Sequence, residues 1–324
     1  MNLLHKAARK IQYIQNTKAA YDFEPQRGGW QKHPEPVFGD ETTGSVFDPF
    51  VIRTDSGYRM FVSERKRDGI LCVDSSDGIR WKRGVAALLP DPDSGWEDKV
   101  NRATIVRSSS QWLMWYTGQN ATHSSIGIAV SDDGIRYRRI RKEPVLVADQ
   151  PCEKQSVMNP CVIWDEAAQK YKMWYAAGEK YEPDVLCYAE STDGVNWKKH
   201  PANPVLSKSG QVYDRDKVGG CDVKRVGGKY IMYYIGYQNV DVARICVAES
   251  ADGVGGWTRI KDNPIIGPTK GGWDASAVYK PSVIYNDPAG KVMLWYNGRN
   301  KQIESIGLAY KKDVEYGKHN NSGL

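Results

Sequence analysis

GWQKHPEPVFG (residues 29–39) closely matches WKKHPANPVLS (residues 197–207), and that match decides the fold. The second copy stands inside a module that recurs along the chain. The module runs V-x-x-P-x-V-I, then Y-x-M-W-Y-x-G, then I-x-x-A-x-S-x-D-G-x-x-W, then N-P-V-L. Its first element begins at Val46, Val100, Val157, Val218 and Val278, at intervals of 54 to 61 residues. That period suits a propeller blade and is too long for leucine-rich or tetratricopeptide repeats. The second element is YRMFVSE (58–64), WLMWYTG (112–118), YKMWYAAG (171–178), YIMYYIG (230–236) and MLWYNG (293–298). Each element is an apolar or aromatic run of strand length bounded by Gly, Asp, Asn or Pro, so each module reads as four antiparallel strands. The fifth module stops after its third strand, at Tyr310. Residues 29–39 supply the missing fourth strand, which closes the ring and removes the open sheet edges. The expectation is an all-β, five-bladed β-propeller whose last blade is completed by the N-terminal strand. Its boundaries are a helical or irregular segment over 1–28, one propeller domain over 29–311 and a tail over 312–324.

Composition narrows the class. The 324 residues contain 11 Trp and 19 Tyr against 5 Phe, a skew toward aromatics with a polar handle that suits half-wet surfaces and sugar faces. The formal charge is +6, yet acidic and basic residues alternate, so no basic stripe marks a nucleic-acid partner. No apolar run is long enough to span a membrane. MNLLHKAARKIQYIQ has apolar residues at near-helical spacing but no continuous apolar core or cleavage site, so it reads as a packed helix, with membrane-surface contact as the second reading. The six cysteines form no C-x-x-C pair, and Cys72, Cys187 and Cys246 hold equivalent strand positions as small buried hydrophobes. With no export signal, reduced thiols in a cytoplasmic protein are expected. The five His are scattered, and neither a metal set nor a cofactor-binding fingerprint is present, so no metal and no cofactor are expected.

The S-x-D-G-x-x-W signature belongs to the hairpin between third and fourth strands, where Asp-Gly makes the turn and the aromatic packs between blades. Ligand groups are therefore expected on the opposite face, where the first strands begin and the second strands end. Two residues after each recurring Val stand Asp48, Arg102, Asn159, Gly220 and Lys280, and two further on stand Phe50, Thr104, Cys161, Asp222 and Ser282. A purely structural repeat keeps like residues at equivalent positions. The first set differs in every blade and four of its five members are polar, which suggests a ring of distinct side chains around one asymmetric ligand. Second-strand ends add Glu64, Gln119, Glu179 and Arg299.

With F-D-P-F in blade one and N-P-C-V-I in blade three, the chain resembles the five-bladed glycoside hydrolases, the superfamily of arabinanases, xylosidases, invertases and levansucrases, from Gly29 to Tyr310. The resemblance implies a carbohydrate substrate and three inner-strand carboxylates, an Asp in blade one, an Asp in blade three and a Glu in blade four. Asp48 matches the first. Asn159 stands where the second belongs, and Asp222 is displaced by two residues from the third. The expected function is an inverting glycosidase acting on a small glycoside or oligosaccharide, with Asp48 as base and Glu179 or Asp222 as acid. Glu64, Arg102, Gln119, Asn159, Lys280 and Arg299 are the expected substrate-binding residues. Two alternatives stand beside it: a phosphorylase or transferase that holds phosphate on Arg102, Lys280 or Arg299, and a propeller that binds sugar without turning it over.

Overall fold

The computed structural model describes residues 3–312, apart from 41, 83, 109, 181–182, 286–289 and 302. The expected tail thus lies outside the described residues from 313 onward. Five sheets of four antiparallel strands follow one another around a ring, and in the first four sheets the strands run inner to outer in chain order. The inner strands are Val46–Thr54, Lys99–Arg107, Ser156–Asp165, Lys217–Val226 and Ala277–Ile284. Each neighbours the inner strands of the blades on either side, and the last returns to the first. Blade five takes its outermost strand from Gln31–Lys32, which pairs with Ile303–Lys312 through Gln31 opposite Tyr310 and Lys32 opposite Ala309.

Blade packing explains the repeated residues. In each Ser-x-Asp-Gly turn the serine hydroxyl accepts the glycine N–H, as from Gly78 to Ser75 at 2.9 Å. The aspartate accepts the next two N–H groups, as from Ile79 and Arg80 to Asp77. The second-strand tryptophan of one blade caps the turn of the next: Trp115 donates to the Gly194 carbonyl, Trp174 to Gly253 and Trp295 to Gly78, at 2.7–2.9 Å. Burial of these indoles supplies the apolar contact between blades, and the N–H finds a partner, as a buried Trp requires.

A second recurring device holds four of the five blades at the opposite end. The acid that precedes an inner strand meets a second-strand tyrosine and a fourth-strand cation. These clusters are Glu97 with Tyr116 and Arg139, Glu153 with Tyr175 and Lys199, Asp214 with Tyr234 and Arg259, and Asp274 with Tyr296 and Lys32. Every acid in the set is buried, so pairing is what makes its charge tolerable. In blade five the cation comes from the N-terminal strand, so the Lys32–Asp274 pair of 2.6 Å pins the ring closure. All six cysteines are free thiols. Burial pushes the Cys72 thiol up to about 12.

Candidate functional site

The inner strands share one irregularity. Pairing with the second strand skips residues between Phe47 and Phe50, Asn101 and Thr104, Met158 and Cys161, Gly219 and Cys221, and Tyr279 and Ser282. At each bulge stands a member of the variable ring. Asp48, Arg102, Asn159 and Lys280 have φ of 57°, 47°, 54° and 56°, the left-handed region that L side chains rarely adopt. Each such residue costs on the order of 1–3 kcal/mol, and strain of this kind gathers where function needs a side chain re-aimed. The fifth position is Gly220, where a Cβ would stand 2.9 Å from that of Asn159. The bulges are braced from the neighbouring blade: Ser63 accepts the Arg102 N–H at 3.0 Å, and Thr117 accepts the Asn159 N–H at 2.8 Å.

The re-aimed side chains meet. The Lys280 ammonium stands 2.8 Å from Asp48 Oδ1 and donates to Asn159 Oδ1 at 3.2 Å. The first contact lies off the line of an ordinary hydrogen bond, so it is an ion pair, and Asp48 Oδ2 has no hydrogen-bond partner among the described residues. Asp48 is 1% exposed, which makes that free oxygen costly to keep. Arg102 is also buried; it spans the channel to the carbonyls of Cys221 (2.8 Å) and Pro281 (3.3 Å), leaving Nε and Nη1 without partners.

Asp48, Asn159 and Lys280 line a cavity of about 390 Å³, within the range of small-molecule sites. Gln119 and Arg299 also line it. Gln119 is held by Asn101 and Ser124, and Arg299 by the Asp241 carbonyl at 3.0 Å. Further lining residues include Arg65, Asp68, Lys99 and Glu304. Glu304 is fully engaged, by Tyr279, Arg65 and Asn297. Burial and Glu304 drive the Tyr279 phenol well above its ordinary value. Asp68 is half-exposed, with Lys99 facing it at 3.5 Å. A larger cavity, about 740 Å³, opens between blades four and five at Trp30, Tyr233 and Tyr285, and none of the strained residues reaches it.

Four expected site residues lie elsewhere. Arg102 is beneath the cavity, outside its lining. Glu64 is buried against Arg67 at 2.8 Å and outside the lining. Glu179 is exposed, 3.5 Å from Lys154. Asp222, expected as a second carboxylate, accepts the Val283 N–H at 2.6 Å and pairs with Lys224 at 3.0 Å. Its register explains this. Thr104, Cys161 and Ser282 hold the same position and accept the N–H groups of Val162, Val223 and Val51, each in the next blade. Asp222 is thus the blade four member of a ring of inter-blade ties. Sequence reasoning passed over Asp68 and Glu304. Both stand two residues before the first Ile of the third-strand repeat (Ile70 and Ile306), but Ser124 holds that position in blade two, so no single residue type runs through the blades to mark it. Among the described residues no cluster of three or more His, Cys, Asp or Glu could hold a metal ion.

Comparisons with known proteins agree with this architecture. The model of the glycosyl hydrolases family 32 N-terminal domain matches residues 71–212. An uncharacterized protein of Mycobacterium tuberculosis is 30% identical over 223 residues, 65% of this chain and 70% of that protein. The beta-1,2-mannobiose phosphorylase of a Thermoanaerobacter species is 28% identical over 164 residues, 45% of this chain and 51% of that enzyme. Among solved structures, a glycoside hydrolase superposes with a TM-score of 0.72 at 20% identity, covering 94% of this chain and 98% of that one. A structure from a study of mannoside phosphorylases and of glycoside hydrolases that target beta-1,2 mannosidic linkages in Candida mannan gives 0.69 at 17% identity, covering 91% and 96%. At such identities the structural likeness concerns the fold.

Proposed function

The chain belongs to the five-bladed β-propeller glycoside hydrolase superfamily, and on that premise we propose that it cleaves a glycosidic bond in the cavity above Asp48. The observation that carries the proposal is the strained, buried Asp48 with one oxygen pinned by Lys280 and the other without a hydrogen-bond partner. In this reading a sugar ring sits over Asp48, Asn159 and Lys280, with its leaving group toward the mouth. Water between the sugar and Asp48 gives its proton to Oδ2, and its oxygen bonds the anomeric carbon from the face opposite the leaving oxygen. As the old bond breaks, the leaving oxygen takes a proton from an acid at the mouth, and the product has inverted configuration. Asp68, half-exposed in the cavity wall, is the acid this geometry favours, with the more remote Glu179 as the alternative. Lys280 is a positioning residue here: it orients Asp48, and Asn159 orients it.

Phosphorolysis is a second reading, favoured by a specific observation. Arg65, Lys99, Lys280 and Arg299 all line the cavity, and the similarity to a beta-1,2-mannobiose phosphorylase points the same way. Phosphate would then replace water as acceptor, and no base would be needed. One experiment separates the readings: proton NMR of the first product formed from a cleavable glycoside, with and without phosphate. Hydrolysis gives an inverted free sugar at a rate indifferent to phosphate. Phosphorolysis gives a sugar 1-phosphate and stops when phosphate is withdrawn. A retained free sugar contradicts both.

A further inference from the structure

The helix Leu3–Lys18 faces the wrong way for a helix that merely packs. Arg9, Tyr13 and Asn16, at i, i+4 and i+7, point to the propeller. Arg9 pairs with both oxygens of Asp241 at 3.1 and 2.7 Å, Asn16 donates to Asp241 at 2.7 Å, and the Tyr13 hydroxyl meets that of Ser276 at 2.7 Å. Helical periodicity turns Ala7, Ile11 and Ile14 to the opposite side, where Ile11 and Ile14 are 58% and 52% exposed. A surface helix of a globular protein ordinarily turns its apolar stripe inward. This one turns it to solvent, with Lys10 and Lys18 beside it and no acidic residue in LLHKAARKIQYIQNTK.

Two more exposed apolar side chains stand on the same face of the propeller. Val240 (40% exposed) stands in the turn between the second and third strands of blade four, and Ile303 (54%) opens the third strand of blade five. They adjoin Asp241 and Glu304, which line the cavity. The helix is wired to the same place, since the Asp241 that Arg9 clamps passes its carbonyl to Arg299.

We propose that this face docks on a lipid surface bearing anionic headgroups, and that the saccharide cleaved at Asp48 is carried by an amphiphile in that surface. An apolar stripe bordered by lysines, without acids, is the pattern of a helix that lies in the interface, and anionic headgroups attract its charge. A second copy of the chain fits less well: its own all-basic helix would bring like charges together, and a few side chains fall short of the roughly 800 Å² per partner that a stable interface buries. Docking by the helix together with Val240 and Ile303 brings the cavity mouth to the headgroups. The substrate clause rests on the reading of Asp48 as the cleaving group; the docking clause does not.

The test is co-sedimentation of the full chain with phosphatidylcholine vesicles, with and without phosphatidylglycerol, for wild type, Ile11→Ser/Ile14→Ser and Asp48→Asn. The proposal expects wild type and Asp48→Asn to sediment with the anionic vesicles and the double serine variant to lose about tenfold or more of that partitioning. It further expects the double variant to cleave a soluble aryl glycoside at the wild-type rate but an alkyl glycoside embedded in vesicles roughly tenfold more slowly. Failure of wild type to sediment overturns the docking, as does equal sedimentation of the double variant. Self-association that the double variant abolishes, without vesicle binding, also overturns it in favour of a second copy. Vesicle binding together with full turnover by Asp48→Asn overturns the cleavage reading while leaving the docking in place.

Discussion

Asp48 and Asp222 are both buried inner-strand aspartates, two register positions apart, and their surroundings give them different work. Asp48 stands at a left-handed bulge and points one oxygen at Lys280 and leaves the other without a hydrogen bond. Asp222 stands in regular pairing and spends both oxygens, one on Lys224 and one on the Val283 N–H. A carboxylate already holding its neighbours in place is poorly suited to exchange protons with substrate. Asp222→Asn keeps an acceptor for Val283, so the expected outcome is turnover within a few-fold of wild type and a modest loss of stability, measured by steady-state rates and thermal melting. Asp222→Ala leaves the Val283 N–H unpaired and the Lys224 ammonium without its partner, with an expected cost of about 1–3 kcal/mol by urea titration. A collapse of turnover in Asp222→Asn with the melting temperature unchanged would return Asp222 to the chemistry.

At the scale of elements, the turns and strands were legible because their chemistry repeats. Four Ser-x-Asp-Gly turns, a second-strand aromatic in each blade and the acids before the inner strands stood in phase in the sequence, and each has a single structural task. The site was only half legible. The bulge residues were marked by failing to repeat, and of those expected to bind, Asn159, Lys280, Gln119 and Arg299 do line the cavity. Nothing in the residue order said that the next pair of positions would form inter-blade ties, because Thr, Cys, Asp and Ser look unrelated until their shared acceptor role is seen. Asp68 and Glu304 reach the cavity from equivalent positions just ahead of the third-strand cores, where the residue type does not repeat through the blades.

The turns also carry a pH signature. The N–H groups of Arg136 and then Ile135, with the Ser131 hydroxyl, hold the Asp133 carboxyl down at about 2, and the Arg80 N–H holds that of Asp77 down as well. A carboxyl lowered on folding contributes stability that is fully present above its unfolded value, near 4, and is lost as pH falls through the folded value. Melting temperature should therefore drop between about pH 4 and pH 2, and Asp133→Asn should flatten its share of that drop. An Asp133→Asn profile that superposes on wild type would remove the turn from the account of acid stability.

At the scale of the whole molecule, closure rests on the Gln31–Lys32 strand, on further backbone bonds of His33, Val37 and Phe38 to the third strand of blade five, and on one buried charge. Lys32 sits among the Gly267 carbonyl, Thr269 and Asp274, and burial lowers its ammonium while Asp274 raises it. Removing one partner of a buried pair costs about 3–5 kcal/mol, because the other charge stays buried alone. Lys32→Ala should lower the unfolding free energy by about that amount, and Lys32→Ala with Asp274→Asn should recover part of it. Equal stability of wild type and Lys32→Ala in urea would mean that the ring is closed by other contacts.

A closed ring matters to function because it brings Asp48, Asn159 and Lys280, from three different inner strands, to one cavity. The claim at the centre of the account is that Asp48 exchanges the proton there. It is tested most directly by the rates of wild type and Asp48→Asn on one glycoside that the wild type turns over, with binding and melting measured alongside. The account predicts a fall in kcat of about 10²–10⁴-fold with substrate binding and the fold intact. Turnover by Asp48→Asn at the wild-type rate would contradict it.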